Sequence, residues 1–138
     1  MPLTPELSVR DWRVSRAFYR DVLGFAVAYE RPEEGFCFLE RDGAALMIDQ
    51  IGLGRDFDGG HLPKEYPFGR GVNFQIEVSA LTPILARLAA GGFPLLIGPE
   101  EKWYRRGDQE LGQRQIAVAD PDGYLLRLFE GLGERKII

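Results

Sequence analysis

The chain has 138 residues, 45% of them hydrophobic and 28% charged, with a formal net charge of −4. These proportions exclude a disordered chain, and the length is enough to bury a core without disulfides or a structural metal. The mild acidic excess, with Arg105-Arg106 as the densest basic spot, excludes nucleic acid as the expected partner, because phosphate contacts need clustered Lys and Arg.

The single cysteine, Cys37, leaves no internal disulfide and suits a reducing compartment. Met1 is followed by Pro2, Thr4, Pro5 and Glu6, without the apolar run of a secretory leader. No stretch approaches the roughly 18 apolar residues of a membrane span. The expectation is a cytoplasmic protein. The acidic balance suits a cationic small ligand, and ordinary solubility explains it equally well.

Leu7-Ser8-Val9-Arg10 alternates as a half-buried strand does, and Asp11 stands where a helix N-cap belongs. Val14, Ala17, Phe18 and Val22 recur at helical spacing between Trp12 and Leu23, and Gly24 stops the helix. Phe25 to Glu30 reads as a strand. Gly35 to Glu40 and Gly43 to Asp49 read as two more, turned at Arg41-Asp42. The Gly-rich stretch from Ile51 to Gly71 reads as a linker, with a loop passing near a binding site as the alternative.

The order then returns. Phe74 to Val78 alternates, and Thr82-Pro83 starts a helix whose apolar face is Ile84, Leu85, Leu88 and Ala89. Gly91-Gly92 ends it. Phe93 to Ile97 is a strand, an insertion follows around Pro99 to Gly112, and Gln113 to Ala119 pairs with Gly123 to Glu130 across Asp120-Pro121-Asp122-Gly123. The chain is thus α+β, with strand, helix and three strands written twice: a first module over about 1–50, the linker over 51–71, and a second module over about 72–131.

Two phrases, Ser15-Arg16-Ala17-Phe18-Tyr19-Arg20-Asp21-Val22-Leu23-Gly24-Phe25 and Asp120-Pro121-Asp122-Gly123-Tyr124, set in this double βαβββ order, resemble the vicinal-oxygen-chelate superfamily of glyoxalases, extradiol dioxygenases and antibiotic-resistance proteins. The resemblance runs from about Pro5 to Glu130. Trp103-Tyr104-Arg105 and Gly112-Gln113-Arg114-Gln115 look like the bleomycin-resistance branch. The resemblance implies two half-open barrels around a cleft. It also implies a homodimer, in which the first strand is exchanged in some relatives.

Enzymes of the superfamily hold a divalent metal with four inward side chains. Motif matching carries those positions to Thr4, Met47, Asn73 and Arg127. None is a strong ligand for a catalytic divalent ion, and the fixed cation of Arg127 opposes one. His61 lies in the linker, where a solvated role is expected. No metal, no other cofactor and no metal-dependent glyoxalase or dioxygenase activity is expected.

Strand alternation gives the inward lining. A two-residue turn at Arg41-Asp42 pairs Glu40 with Gly43, Phe38 with Ala45 and Phe36 with Met47, so Phe36, Phe38, Ala45, Met47 and Asp49 share a face, with Cys37, Leu39 and Ile48 opposite. From Thr4 the same face takes Glu6 and Ser8; from Asn73 it takes Gln75 and Glu77. A turn at Pro121-Asp122 adds Arg114, Ile116, Val118, Leu125, Arg127 and Phe129. So many inward polar groups suit a wet ligand cleft, or else a closed network of Arg127 and Arg114 with Glu77 or Asp49. Trp103 in the inserted segment suits stacking on a planar ligand or packing at a subunit interface, and Trp12 suits the core.

The ligand-binding set is therefore Phe36, Phe38, Met47, Asp49, Asn73, Gln75, Glu77, Trp103, Arg114 and Arg127. The resemblance implies that Trp103, Phe36 and Phe38 stack on a cationic aromatic drug of the bleomycin type while Glu6, Asp49 or Glu77 meet its positive end. The expected activity is antibiotic sequestration without chemical change; a same-fold protein for another ligand and a metal-dependent enzyme are the rivals.

Overall fold

The computed structural model describes residues 3–137, so the reading of Met1 and Pro2 lies outside the described residues. The chain divides into two compact units. One runs to Arg70 and includes Asp120–Tyr124; the other holds Gly71–Ala119 and the residues from Leu125 onward.

The first unit contains strand β1 (Glu6–Val9), helix α1 (Trp12–Ala17) continuing as a π-helical turn over Phe18–Val22, and strands β2 (Ala26–Arg31), β3 (Phe36–Arg41) and β4 (Ala44–Gln50). The second contains β5 (Asn73–Glu77), α2 (Thr82–Ala90), β6 (Leu95–Arg106), β7 (Gln109–Ala119) and β8 (Leu125–Lys136). The sheet orders β1-β4-β3-β2 and β5-β8-β7-β6 repeat one pattern, in which the first strand runs parallel to the last and the others are antiparallel. The chain is α+β, with the tandem βαβββ modules its sequence predicts.

Local chemistry accounts for the elements. The Asp11 side chain accepts from the Arg13 amide at 3.1 Å and caps α1. Proline at the start of α2 gives up an amide that would have no helical partner. Asp42 and Gly43 both have positive φ, at 44° and 86°, as a two-residue hairpin turn that follows sheet twist requires. That turn sits one residue later than the predicted Arg41-Asp42. The pairs are therefore Phe36 with Asp49, Phe38 with Met47 and Glu40 with Ala45. The slip is by two residues, so the predicted faces survive it.

Each sheet buries one face under its own helix. Leu7, Val9, Cys37, Leu39, Leu46 and Ile48 meet Trp12, Phe18 and Tyr19 in the first unit. Ile76, Val78, Ile116, Val118, Leu126 and Leu128 meet Leu81, Ile84 and Leu88 in the second. Each such side chain contributes about 1.5–3 kcal/mol of burial.

Two expectations for the second unit are corrected. The segment from Pro99 to Gly112 is not an inserted loop: it lengthens β6 and β7, and β8 runs beside them to Lys136. Nor is the β7–β8 connection a two-residue turn. The strands close at Ala119 and Leu125, leaving Asp120–Tyr124 as a loop closed by the Asp120 amide on the Tyr124 carbonyl at 2.9 Å. An odd number of residues now intervenes, so every side chain of β7 changes face relative to the prediction. Arg127 lies beside Ala117, while Ile116 and Val118 are core.

The lengthened strands place Trp103 flat over Gly112, and the Arg135 guanidinium lies 4.0 Å from the ring centroid on that face. A Cβ on Gly112 would stand 2.6 Å from the ring. Gly112→Ala is therefore expected to cost about 1–3 kcal/mol by overpacking. A lowered midpoint in thermal unfolding followed by circular dichroism checks this; an unchanged midpoint would show that the ring is not held there.

Candidate ligand-binding site

In the first unit, the sheet face opposite α1 carries Glu6 and Ser8 from β1, Met47 and Asp49 from β4, Phe36 and Phe38 from β3, and Tyr29 and Arg31 from β2. The Tyr29 and Phe38 rings stack with centroids 5.2 Å apart, and Tyr29 and Phe36 stand 5.8 Å apart. The Arg31 guanidinium lies 3.9 Å from the Phe36 centroid and donates to Glu34 at 2.6 Å. A hollow of about 520 Å³ opens on this face, lined by Glu6, Arg31, Glu34, Phe36, Asp49 and the segment Leu53, Gly54, Arg55 and Phe57. The stretch expected to be a plain linker thus walls one side of the hollow.

The electrostatics favour a cation. Burial, then the neighbouring carboxylates of Glu6, Asp56 and Glu34, push the Asp49 carboxyl up to about 6, while Arg31 acts in the opposite sense. Arg31 is already committed to Glu34, which leaves the two carboxylates of Glu6 and Asp49 against the single guanidinium of Arg55 in the lining. Asp49 is fixed there because β4 alternates: Leu46 and Ile48 enter the core and send Met47 and Asp49 to the open face.

The equivalent face of the second unit has a different character. Arg127 donates to Asn73 Oδ1 at 3.0 Å and Gln75 Oε1 at 2.9 Å, and Gln75 reaches Gln113 at 3.5 Å. Gln115, buried beside them, donates to Glu100 at 2.9 Å and shares a hydrogen bond with the Tyr104 hydroxyl. Glu77 is exposed on the same face beside Phe129. Side-chain amides and a guanidinium satisfy one another here.

Of the predicted residues, the first unit gathers Phe36, Phe38, Met47 and Asp49 on one face, and the second gathers Asn73, Gln75, Glu77 and Arg127. Arg114 and Trp103 do not join the latter. Arg114 lies on the helix side, paired with Glu130 at 3.1 Å and reaching Thr82 at the start of α2. Trp103 pairs with Gly112, on the same side as Arg114. The correction for Arg114 follows from the face change along β7, and that for Trp103 from the expected loop being part of strand β6. The proposed pairing of Arg127 with Glu77 gives way to Asn73 and Gln75. Cys37 is buried and its thiol is pushed up to about 11 by burial, which removes it as a nucleophile. His61 is exposed.

Sequence reasoning missed Tyr29, Arg31 and Glu34. A register shift between Val27 and Tyr29 breaks the simple alternation of β2 and turns Tyr29 inward. Arg55 and Phe57, in irregular backbone, gave no periodic signal.

The side chains at the four metal-equivalent positions do not fit a divalent ion. The oxygens of Asn73 and Gln75 accept from Arg127, whose positive charge occupies the place a ligand would take. Met47 offers only a thioether, a soft donor. Among the described residues no group of three or more His, Cys, Asp or Glu is arranged around a common point. No helix among them is long and apolar enough to cross a membrane.

The model of the glyoxalase/bleomycin resistance protein/dioxygenase superfamily matches residues 3–128. TioX from Micromonospora sp. ML1 is 22% identical, with 94% of this chain and 98% of that one covered and a TM-score of 0.69. Lactoylglutathione lyase from Agrobacterium tumefaciens is 20% identical over 93% of this chain and 91% of that one, at a TM-score of 0.60. A glyoxalase/bleomycin resistance protein/dioxygenase superfamily member from Vibrio splendidus 12B01 is 37% identical over 94% and 97%, at a TM-score of 0.41. No curated protein matches.

Proposed function

Since the chain belongs to the glyoxalase/bleomycin resistance protein/dioxygenase superfamily, a superfamily of enzymes and binding proteins alike, we propose that it is a binding protein that captures a cationic, aromatic small molecule without altering it. Drugs of the bleomycin type are the first class to test. The observation that carries this reading is the hollow of the first unit, lined by Phe36 and Phe57 with Glu6 and Asp49, next to the Tyr29 and Phe38 rings on the same sheet face. A planar cation would gain ring contact from the exposed Tyr29 and charge from Glu6 and Asp49, and a hollow of about 520 Å³ has room for one planar end of a larger drug. The unsuitable donor set at the metal-equivalent positions supports capture over metal-assisted turnover.

Calorimetric titration with metal-free bleomycin tests the reading. Saturable binding is expected, with the drug recovered at unchanged mass. Tyr29→Ala and Asp49→Asn are each expected to weaken it about tenfold, the equivalent of about 1.4 kcal/mol. Absence of binding at high micromolar drug would exclude this class, and a changed drug mass would replace capture with catalysis.

Affinity is also expected to depend on pH. Asp49 is charged above about 6 and loses its charge as pH falls through that value. Binding of a permanent cation should therefore be weaker at pH 5 than at pH 8, and the difference should shrink in Asp49→Asn. Equal affinity at both values would remove Asp49 from the site.

A further inference from the structure

The hydrogen bonds of Arg127 use one edge of its guanidinium. Nε donates to Asn73 and Nη2 to Gln75, both on the neighbouring strand β5. Among the described residues nothing accepts from Nη1, and Arg127 forms no ion pair. The remaining edge, made of Nη1 and the second hydrogen of Nη2, is the planar fork that takes the two oxygens of a carboxylate. We propose that the second unit binds a monocarboxylate with an apolar body on this edge of Arg127.

The fork is held ready for its ligand. A guanidinium only donates, so the amide oxygens of Asn73 and Gln75 must turn toward it and their nitrogens away. Gln75 passes its own donor on to Gln113 at 3.5 Å. A carboxylate in the place of either amide would quench the charge. Two neutral amides fix the guanidinium and leave its charge whole, so little side-chain freedom remains to be lost on binding.

The acidic groups of this face stand elsewhere. Glu77 Oε2 lies 4.0 Å from the point where a Cβ on Gly131 would stand, and Gly131 is four residues past Arg127 on β8. At the rise of an extended strand that is about 13 Å along it, with Phe129 between. Glu100 accepts from Gln115, whose partner on β8 is Phe129 and not Arg127. A single uncompensated positive charge favours a monoanion over a phosphate dianion. Half-buried Phe129, next to Arg127 on the same face of β8, offers apolar surface to the body of the ligand. The site lies wholly within the second unit and does not depend on the ligand reading of the first.

Benzoate is the probe, followed by heteronuclear NMR of the isotope-labelled chain. It is expected to shift the backbone amides of β5 and of residues 125–129 saturably at millimolar concentration. Arg127→Lys keeps the charge but not the fork, and is expected to weaken binding at least about tenfold. Gln75→Glu supplies the guanidinium with an internal counter-ion. That variant is expected to keep the fold, with an unchanged or raised unfolding midpoint, and to lose benzoate binding. Unweakened binding by either variant, shifts that fail to saturate or that fall elsewhere, or inorganic phosphate acting on the same amides as strongly as benzoate would each overturn the proposal.

Discussion

Asp122→Ala is expected to lower the stability of the chain by about 3 kcal/mol, the sum of its lost charge-assisted hydrogen bonds and one stranded hydroxyl. The carboxylate is 2% exposed. It accepts from the Arg10 amide at 3.2 Å, from Arg10 Nε at 2.7 Å and from the Ser15 hydroxyl at 3.2 Å. Ser15 lies on the buried side of α1, so truncating Asp122 leaves its hydroxyl without this partner and away from water. The Arg10 side chain is 57% exposed, and an exposed ion pair is worth at most about 1 kcal/mol. Arg10→Ala should accordingly cost far less than Asp122→Ala. Urea unfolding of both variants checks the ordering. Equal losses would assign the contribution to the ion pair and not to the buried bonds.

The second large effect is a dependence of stability on pH, set by Asp120. Burial pushes its carboxyl up to about 6, although the Tyr19 hydroxyl at 2.6 Å and the Tyr124 and Asp122 amides at 2.9 Å oppose the rise. Tyr19 is itself buried, and burial followed by the charge of Asp120 holds its phenol well above the usual range, so it stays a donor. The folded value of Asp120 lies above its unfolded value of about 3.9. The favourable contribution is therefore complete below about pH 4 and is lost as pH rises through about 6. Relative to Asp120→Asn, the unmodified chain should lose on the order of 2–3 kcal/mol between pH 4 and pH 7. Denaturant curves at several pH values measure this; a constant difference between the two proteins would show that Asp120 titrates as an exposed carboxyl does.

These two aspartates show where sequence reading stops. Asp-Pro-Asp-Gly is legible as a turn because proline and glycine fix local angles. That both carboxylates are buried against α1 depends on tertiary contacts with Arg10, Ser15 and Tyr19, which no local pattern announces. The same blindness explains the misassigned face of β7, because a buried five-residue loop and a two-residue turn leave similar marks in sequence but opposite parity. In the first unit the hairpin was misplaced by an even step, so Phe36, Phe38, Met47 and Asp49 were found together regardless. The double βαβββ order was readable because hydrophobic periodicity and glycine stops repeat. Tyr29, Arg55 and Phe57 were hidden by a strand irregularity and by aperiodic backbone.

The chain's two tryptophans are divided between the units. Trp12 is 1% exposed within the core of the first, whereas Trp103 lies partly open to solvent on the second, beneath Arg135. Single replacement of either indole by phenylalanine would leave an emission spectrum reporting on one unit alone. Comparing the two unfolding transitions would then reveal whether the halves of this duplicated chain melt together or in sequence.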